Sequence, residues 1–352
     1  MNMKYADLYW DQDDEAHQEY IRQLAPIVLF AYNRLEHTRK TIEALKTNVY
    51  ASESELYIYA DGAKNAAAVE AVNRVREYLD TVSGFKSVQI IKRDKNWGLT
   101  DNIIDGVSHI VNQYGKVIVL EDDIITSKYF LKYMNDALKI YADMPKVVSI
   151  NGYLQPIDSA GLPETFFVKI GGYWGWATWK DRWQYFARKP ESIRKSFSRN
   201  DAYYFDLGSR KNNCLERFVQ KYILPLKFIY YKQLLMNCTG ELYTWGVFWC
   251  VAVFRHGYSL NPKVSMSINC GFDNSGEHCG ATTFYDVPLG DEPVRLFPLD
   301  IAENEEAYER IGQSLRSFDK RGIFRMALHW AKVKIFGDIP VRDLINKWKE
   351  KF

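Results

Sequence analysis

With 352 residues and 47% hydrophobic content, the chain is long enough for one large α/β domain and can fill its core. Its 46 Lys and Arg nearly balance 44 Asp and Glu, which excludes the broad cationic field that draws proteins to nucleic acid. No uncharged apolar run approaches the roughly 20 residues a membrane span requires, and the N-terminus MNMKYADLYWDQDDEAHQEY is polar and acidic, so the expected location is cytoplasmic.

From Pro26 onward, short apolar runs alternate with amphipathic ones, the pattern of βαβ units and a mainly parallel sheet. The first predicted strand is Pro26 to Tyr32, followed by a helix carrying Leu35, Thr38, Ile42 and Leu45. ELYIYAD is the second strand and ends on Asp61-Gly62, whose glycine permits a sharp turn. A helix with Val69, Val72, Val75 and Leu79 leads to a third strand, Ser87 to Arg93. After the turn DKNWG comes a helix with Ile103, Ile104, Val107 and Val111, then the strand Lys116 to Leu120, apolar enough to be buried on both faces.

Glu121, Asp122 and Asp123 follow that strand directly, and a helix is predicted from about Ser127 to Tyr141, then a strand ending at Asn151-Gly152. Beyond 152 the alternation weakens into a Trp-, Tyr- and Gly-rich region, a helical stretch over Leu215 to Tyr231 and a mixed segment to Asp286. Five cysteines, an odd number with no C-x-x-C pair, argue against a disulfide framework or a zinc knuckle and for partly buried thiols. Trp is concentrated between Trp174 and Trp249; such rings fill cores, and they also line sugar-binding clefts. From Ser314 the tail is helical and basic, compatible with an anionic bilayer surface or with packing on the domain.

Open α/β sheets bind ligands at the carboxyl ends of their strands, and three carboxylates stand at such an end. Adjacent carboxylates repel, and burying them is costly unless a cation pairs with them. Mg²⁺ or Mn²⁺, which take one or two protein carboxylates plus phosphate oxygens and water, suit this arrangement; an acidic helix cap is the plainer alternative. Tyr32, Asn33 and Arg34, the Asp61-Gly62 turn and the segment Arg93 to Leu99, including Gly98, would converge on the same sheet edge.

The ordered series FAYNR, YADGAK, KRDKNWGLTDNI and VIVLEDD resembles the nucleotide-sugar-binding half of GT-A glycosyltransferases, within them the N-acetylglucosaminyltransferase I-like and bacterial surface-polysaccharide enzymes with a Glu-Asp-Asp metal motif. The similarity covers roughly residues 25 to 280. It implies a Rossmann-like, mainly parallel sheet with helices on both faces and a C-terminal acceptor-side region. The implied divisions are a polar extension 1–24, a nucleotide-sugar-binding half 25–152, an acceptor-binding and active-site-closing half 153–290 and a basic helical tail 291–352.

By the same resemblance Asp61 would bond the nucleotide base, Arg34 would lie near the diphosphate, Asp122 would contact ribose or sugar and Asp123 would ligate Mn²⁺ or Mg²⁺, with Glu121 and His278 as further metal candidates. Chemically, Asp61 can accept a uracil imide N–H and Arg34 suits a phosphate fork. Arg93 is either on the nucleotide or in an ion pair with Asp94 or Glu121. GGYWGWATWKDRW resembles the segment walling the donor-sugar pocket, which would put Trp176 there, although aromatic core is the alternative. The segment Gly240 to Gly280 resembles one that closes the active site, with Trp245, Trp249, Asn269, Gly271, Asp273, Ser275, Gly276 and His278 matching its pattern.

The implied reaction is transfer of a sugar, UDP-linked by resemblance, to a glycan or lipid-linked acceptor in surface-polysaccharide synthesis, with inversion, possible contact with the inner membrane face through the tail, and no nucleic acid partner. Inversion needs a carboxylate base at the acceptor hydroxyl. Where the related group carries that Asp, after a tryptophan, this sequence has Gly246, so Glu241 is the first substitute and Asp273 the second. Two rivals stay open: a sugar nucleotidyltransferase, disfavoured because FAYNRLEHTR lacks a glycine-rich phosphate loop, and a binding protein of this fold without transfer.

Overall fold

The computed structural model describes residues 3–5, 15–211, 230–276 and 280–318. Strand β1 (Met3–Tyr5) and helix α1 (Glu15–Arg22) precede the expected alternation: β2 (Ile27–Ala31), α2 (Leu35–Lys46), β3 (Glu55–Ala60), α3 (Val69–Leu79), β4 (Ser87–Lys92), α4 (Gly98–Tyr114) and β5 (Lys116–Glu121). A short β6 (Ile124–Thr126) comes next, then α5 (Phe130–Ile140), β7 (Val147–Asn151), β8 (Thr165–Val168), β9 (Trp176–Trp179) and three short helices, α6 (Lys180–Trp183), α7 (Pro190–Ser196) and α8 (Arg199–Phe205). The remaining elements are α9 (Tyr230–Thr239), α10 (Gly246–His256), β10 (Tyr258–Pro262), β11 (Ser267–Asn269), β12 (Leu296–Pro298) and α11 (Glu305–Phe318).

Eight strands form one sheet in the order β4-β3-β2-β5-β9-β7-β10-β8. All run in the same direction except β9, antiparallel to both β5 and β7, and β8, antiparallel to β10. The sheet therefore continues past residue 152 into the second half of the chain. Alternation along the central strand explains its placement: Ile27, Leu29 and Ala31 pack with Ile42 and Leu45 of α2 and Tyr133 and Met134 of α5, whereas Val28 and Phe30 pack with Ile103, Val107 and Ile110 of α4. Full burial of each such apolar side chain contributes about 1.5–3 kcal/mol, against about 1–2 kcal/mol of backbone entropy per ordered residue. Only strands covered on both faces gain clearly, which is why the continuous apolar runs take the centre.

The N-terminal segment expected as a polar extension is tied to the domain. β1 pairs with β12, and the Tyr20 hydroxyl donates to Asp136 Oδ1 at 2.8 Å, in a buried group completed by Lys132. The helix expected from Ser127 begins instead at Phe130, because Ile124–Thr126 pairs antiparallel with Ser267–Asn269 as a two-stranded ribbon beside the acidic triplet. The helical stretch predicted over Leu215 to Tyr231 lies outside the described residues up to 229, as does the tail beyond 318. Among the described residues no helix is long and apolar enough to cross a membrane. Cys238, Cys250 and Cys270 are free thiols; Cys214 and Cys279 lie outside the described residues.

Gly257 sets the register of the far side of the sheet. It follows α10, and Tyr258 N–H donates to the Lys146 carbonyl at 2.8 Å to start β10 along β7. A Cβ at Gly257 would lie 2.0 Å from that carbonyl oxygen, so backbone has to move if one is added. Gly257→Ala is expected to cost about 1–3 kcal/mol, the range for overpacking, read as a lower midpoint in denaturant; an unchanged midpoint would contradict this close approach.

Candidate active site

The four parallel strands β2 to β5 deliver their carboxyl ends to one edge, with Ala31 opposite Ala60, Ala60 opposite Lys92 and Phe30 opposite Glu121. Beyond β5 the chain turns through Asp122 and Asp123, which are 5% and 9% exposed. Arg34, just before α2, bridges them: its Nη2 donates to Asp122 Oδ1 at 2.5 Å and to Asp123 Oδ2 at 2.8 Å. Two threonines one helical turn apart fix this geometry. The Thr38 hydroxyl donates to the Arg34 carbonyl at 2.8 Å, and the Thr41 hydroxyl donates to the Asp122 carbonyl at 2.9 Å, clamping α2 to the acidic turn.

One guanidinium does not compensate three carboxylates. Burial pushes the Glu121 carboxyl well above its ordinary range, reinforced by the charges of Asp123 and Asp122. Asp122 is also raised by burial, opposed by Arg34. Asp123 Oδ1 is buried and has no hydrogen-bond partner among the described residues. An unsatisfied buried oxygen costs about 1–3 kcal/mol, more when charged. A hard divalent cation is a group that satisfies it, so this donor set fits Mg²⁺ or Mn²⁺.

Among the described residues no group of three or more His, Cys, Asp and Glu side chains is arranged to hold a metal, and His278, the third expected ligand, lies outside those residues. The geometry fits one or two aspartate oxygens, with the rest of the shell supplied by phosphate and water.

The ribbon of β6 and β11 brings residues 270–276 to the acidic pair. Cys270 N–H donates to the Asp123 carbonyl at 2.9 Å. Burial and then the Asp123 charge push the Cys270 thiol up to about 11. At Gly271 a Cβ would stand 2.3 Å from Asp123 Oδ2 and 3.0 Å from Arg34 Nη1, so any larger residue would have to push the Asp123–Arg34 pair aside. Asp273, 49% exposed at its side chain, lies 3.1 Å from His37 Nε2 on α2 and accepts from the Ser275 N–H at 2.9 Å. The Ser275 hydroxyl, its largest influence, holds its carboxyl down at about 2.

Asp61 has a defined structural task. Oδ1 accepts the N–H groups of Gly62 and Trp97, both at 2.8 Å, while Oδ2 accepts the Gly98 N–H at 2.9 Å and the Asn96 side-chain amide at 3.1 Å. Three of these four acceptor positions hold the turn that opens α4, and the fourth is used by the adjacent Gly62 N–H. Gly98, with φ of +74°, completes that turn. Tyr32 and Asn33 lie half-buried at the end of β2, and the Tyr32 hydroxyl accepts the Lys64 N–H at 3.1 Å.

Arg93 pairs with neither Asp94 nor Glu121. Its guanidinium bonds Asn102 at 2.9 Å and Asp105 on α4, and stacks 3.9 Å from the Trp97 ring centroid. Asp105 lies three residues, about one turn, beyond Asn102 on α4, a pairing that adjacency in sequence does not suggest. Trp176 is a second correction: it is 0% exposed and packs among Trp183, Trp245 and Trp249, so it is core and does not face a ligand. The half-buried Trp174 two residues earlier meets Phe272 and Tyr285, joining the glycine-tryptophan segment to the 270–276 segment. Sequence reasoning missed Trp174, Asn96 and the two threonines.

Glu241 is exposed and accepts the Thr239 hydroxyl at 3.1 Å. The chain after it docks on the start of α4, where Tyr243 donates to Asp101 at 2.8 Å and its carbonyl accepts from Thr100 at 2.8 Å. Gly246 opens α10 against Tyr173, where an added Cβ would lie 3.1 Å from the ring.

Residues 27–162, 136 of 352, match the model for Glycosyl transferase family 2, which supports a glycosyltransferase. No curated protein matches the chain. Among solved structures, S. aureus TarS overlaps 42% of this chain and 24% of its own at 13% identity and a TM-score of 0.28. The mannosyltransferase PcManGT from Pyrobaculum calidifontis, in complex with GDP-Man and Mn²⁺, overlaps 67% of this chain and 76% of its own at 12% identity and a TM-score of 0.31. The chain thus spans 24% of the length of TarS. Overlap at this level leaves the activity to be argued from the residues themselves.

Asp61→Asn puts an amide N–H₂ where N–H donors converge. It is expected to cost about 1.5–3 kcal/mol, the range for a hydrogen bond to a charged group, and to speed amide exchange at Trp97 and Gly98. Unchanged exchange at those two amides would show that the carboxylate does not hold the turn.

Proposed function

We propose that the chain is a metal-dependent, inverting glycosyltransferase that moves a sugar from a nucleotide sugar, UDP-linked in the first instance, to a glycan or lipid-linked acceptor. The observation that carries this reading is the buried Asp122 and Asp123 pair, bridged by Arg34 at the carboxyl edge of a parallel sheet, with Asp123 Oδ1 lacking a partner. The family match over the same strands supports it.

Asp123 would hold the Mn²⁺ or Mg²⁺, which when bound supplies Lewis-acid stabilisation of the charge building on the leaving diphosphate. Arg34, with a planar fork of donors, binds the diphosphate, and Asp122 faces ribose or sugar. The nucleotide base lies against Tyr32 and Asn33, over the turn that Asp61 shapes. A direct bond from Asp61 to an imide N–H requires one of its four donors to yield; Asn96 is the candidate, being the longest at 3.1 Å and also bonded to the Gly62 carbonyl. Gly98 keeps that turn open, and Arg93 acts by bracing Trp97. Trp174 and Phe272 would flank the transferred sugar.

The proton on the acceptor hydroxyl needs a carboxylate. Asp273, two residues from the glycine packed on Asp123, is the nearer to the metal side, though a carboxyl held at about 2 is ionised throughout the working range and is a weak proton acceptor. Glu241, on the exposed turn before α10, is the other candidate. A lipid-linked acceptor at the inner membrane face draws on the basic sequence beyond 318, outside the described residues.

Thermal-shift measurements with UDP-, GDP-, CMP- and dTDP-sugars test the reading. A donor at about 100 times its dissociation constant stabilises by about 2.7 kcal/mol, so one nucleotide with Mn²⁺ should raise the melting temperature, and Asp123→Asn should abolish the rise. No response to any donor would refute the reading. Under the same conditions either Glu241→Gln or Asp273→Asn should lose transfer while keeping donor binding; full turnover in both would remove both from the mechanism.

A further inference from the structure

In this structure the acidic pair already has a cation. A single nitrogen of Arg34 lies 2.5 Å from Asp122 Oδ1 and 2.8 Å from Asp123 Oδ2, and the side chains of all three residues are at most 19% exposed, so solvent does little to neutralise the carboxylates. The bridge leaves Asp123 Oδ1 without a partner. The same guanidinium is the strongest candidate on this edge for a diphosphate, and it cannot hold both partners in full: a divalent ion on Asp123 with Arg34 still bridging would set like charges side by side.

We propose that Arg34 is an exchangeable counter-ion, which neutralises Asp122 and Asp123 until a nucleoside diphosphate draws its guanidinium away and leaves Asp123 to the metal. This rests on the metal-site reading above. Asp123 Oδ1 offers the metal a first foothold, and Gly271, where a Cβ would come within 3.0 Å of Arg34 Nη1, leaves the guanidinium room to turn. The α2 clamp through Thr38 and Thr41 grips the Arg34 carbonyl and the acidic turn, so the backbone stays fixed while the side chain exchanges partners. Bare metal therefore competes with a built-in cation and binds weakly. Diphosphate relieves that competition, and by linkage the metal strengthens diphosphate binding to the same degree. Arg34 thus acts as a positioning residue for the metal as well as a contact for the diphosphate.

Electron paramagnetic resonance of free Mn²⁺, titrated with the full chain with and without UDP or GDP, reads this directly. Arg34→Gln is expected to bind Mn²⁺ alone about tenfold more tightly than the wild type, within the usual range of coupling between sites, and to bind UDP or GDP more weakly. Arg34→Lys, which keeps the charge, should bind Mn²⁺ alone as weakly as the wild type. If Arg34→Gln does not fold, Asp122→Asn is compared with Asp122→Asn/Arg34→Gln, in which the second change should again tighten bare Mn²⁺. Bare Mn²⁺ bound no more tightly once Arg34 is neutralised overturns the exchange and leaves the metal site standing. Mn²⁺ bound by none of these proteins, with or without diphosphate, overturns both.

Discussion

Two adjacent carboxylates at the buried end of a strand repel each other and lose hydration, so the turn after β5 can exist only if something positive meets it. Arg34 meets it, and much of the surrounding architecture serves that encounter. β2 lies beside β5 in the sheet, which brings Arg34 within reach. Thr38 ties the first turn of α2 to the Arg34 carbonyl, Thr41 locks the helix onto the acidic turn, and β6 pairs with β11 so that Gly271 presses against Asp123, where a Cβ would stand 2.3 Å from Oδ2. Neutralisation is incomplete: Glu121 is driven toward its protonated form, and one Asp123 oxygen has no partner among the described residues.

A second carboxylate on the same edge behaves differently. Asp61 is as buried as Asp122, yet it meets four N–H donors, one from Gly62 beside it and three from the turn before α4, and so needs no cation. The contrast separates two uses of acidic residues at strand ends. Asp61 gives the edge its shape, while Asp122 and Asp123 give it unspent charge. Arg93 belongs with Asp61, because its contacts to Trp97, Asn102 and Asp105 join the end of β4 to α4 and brace the same turn.

The sheet's first half was legible because IVLFA, ELYIYA and KVIVL are continuous apolar runs, which only strands covered on both faces can use. The edge residues followed from that placement, since parallel strands deliver their carboxyl ends together. Less legible was anything set by packing between distant segments. The four residues WATW carry no signal that they insert in reverse between β5 and β7, and a tryptophan in a glycine-rich stretch reads equally as pocket wall or as core; Trp176 is core, and Trp174 packs on Phe272 and Tyr285. The partner of Arg93 was missed because Asp105 is reached through helix geometry. Gly246, standing where the resemblance leads one to expect an Asp, left the base open, and the spacing of Glu241 and Asp273 in the sequence says nothing about which of them a bound acceptor would meet.

The central claim is that Asp123 holds a divalent metal once a nucleoside diphosphate has engaged Arg34. Anomalous scattering from crystals of the full chain grown with Mn²⁺ and UDP tests it most directly. The account predicts one strong manganese peak about 2.0–2.6 Å from Asp123 Oδ1, the span of oxygen–metal distances for hard divalent ions, with the Arg34 guanidinium on the phosphates. A manganese peak elsewhere, or UDP bound with Arg34 still bridging Asp122 and Asp123, would contradict it.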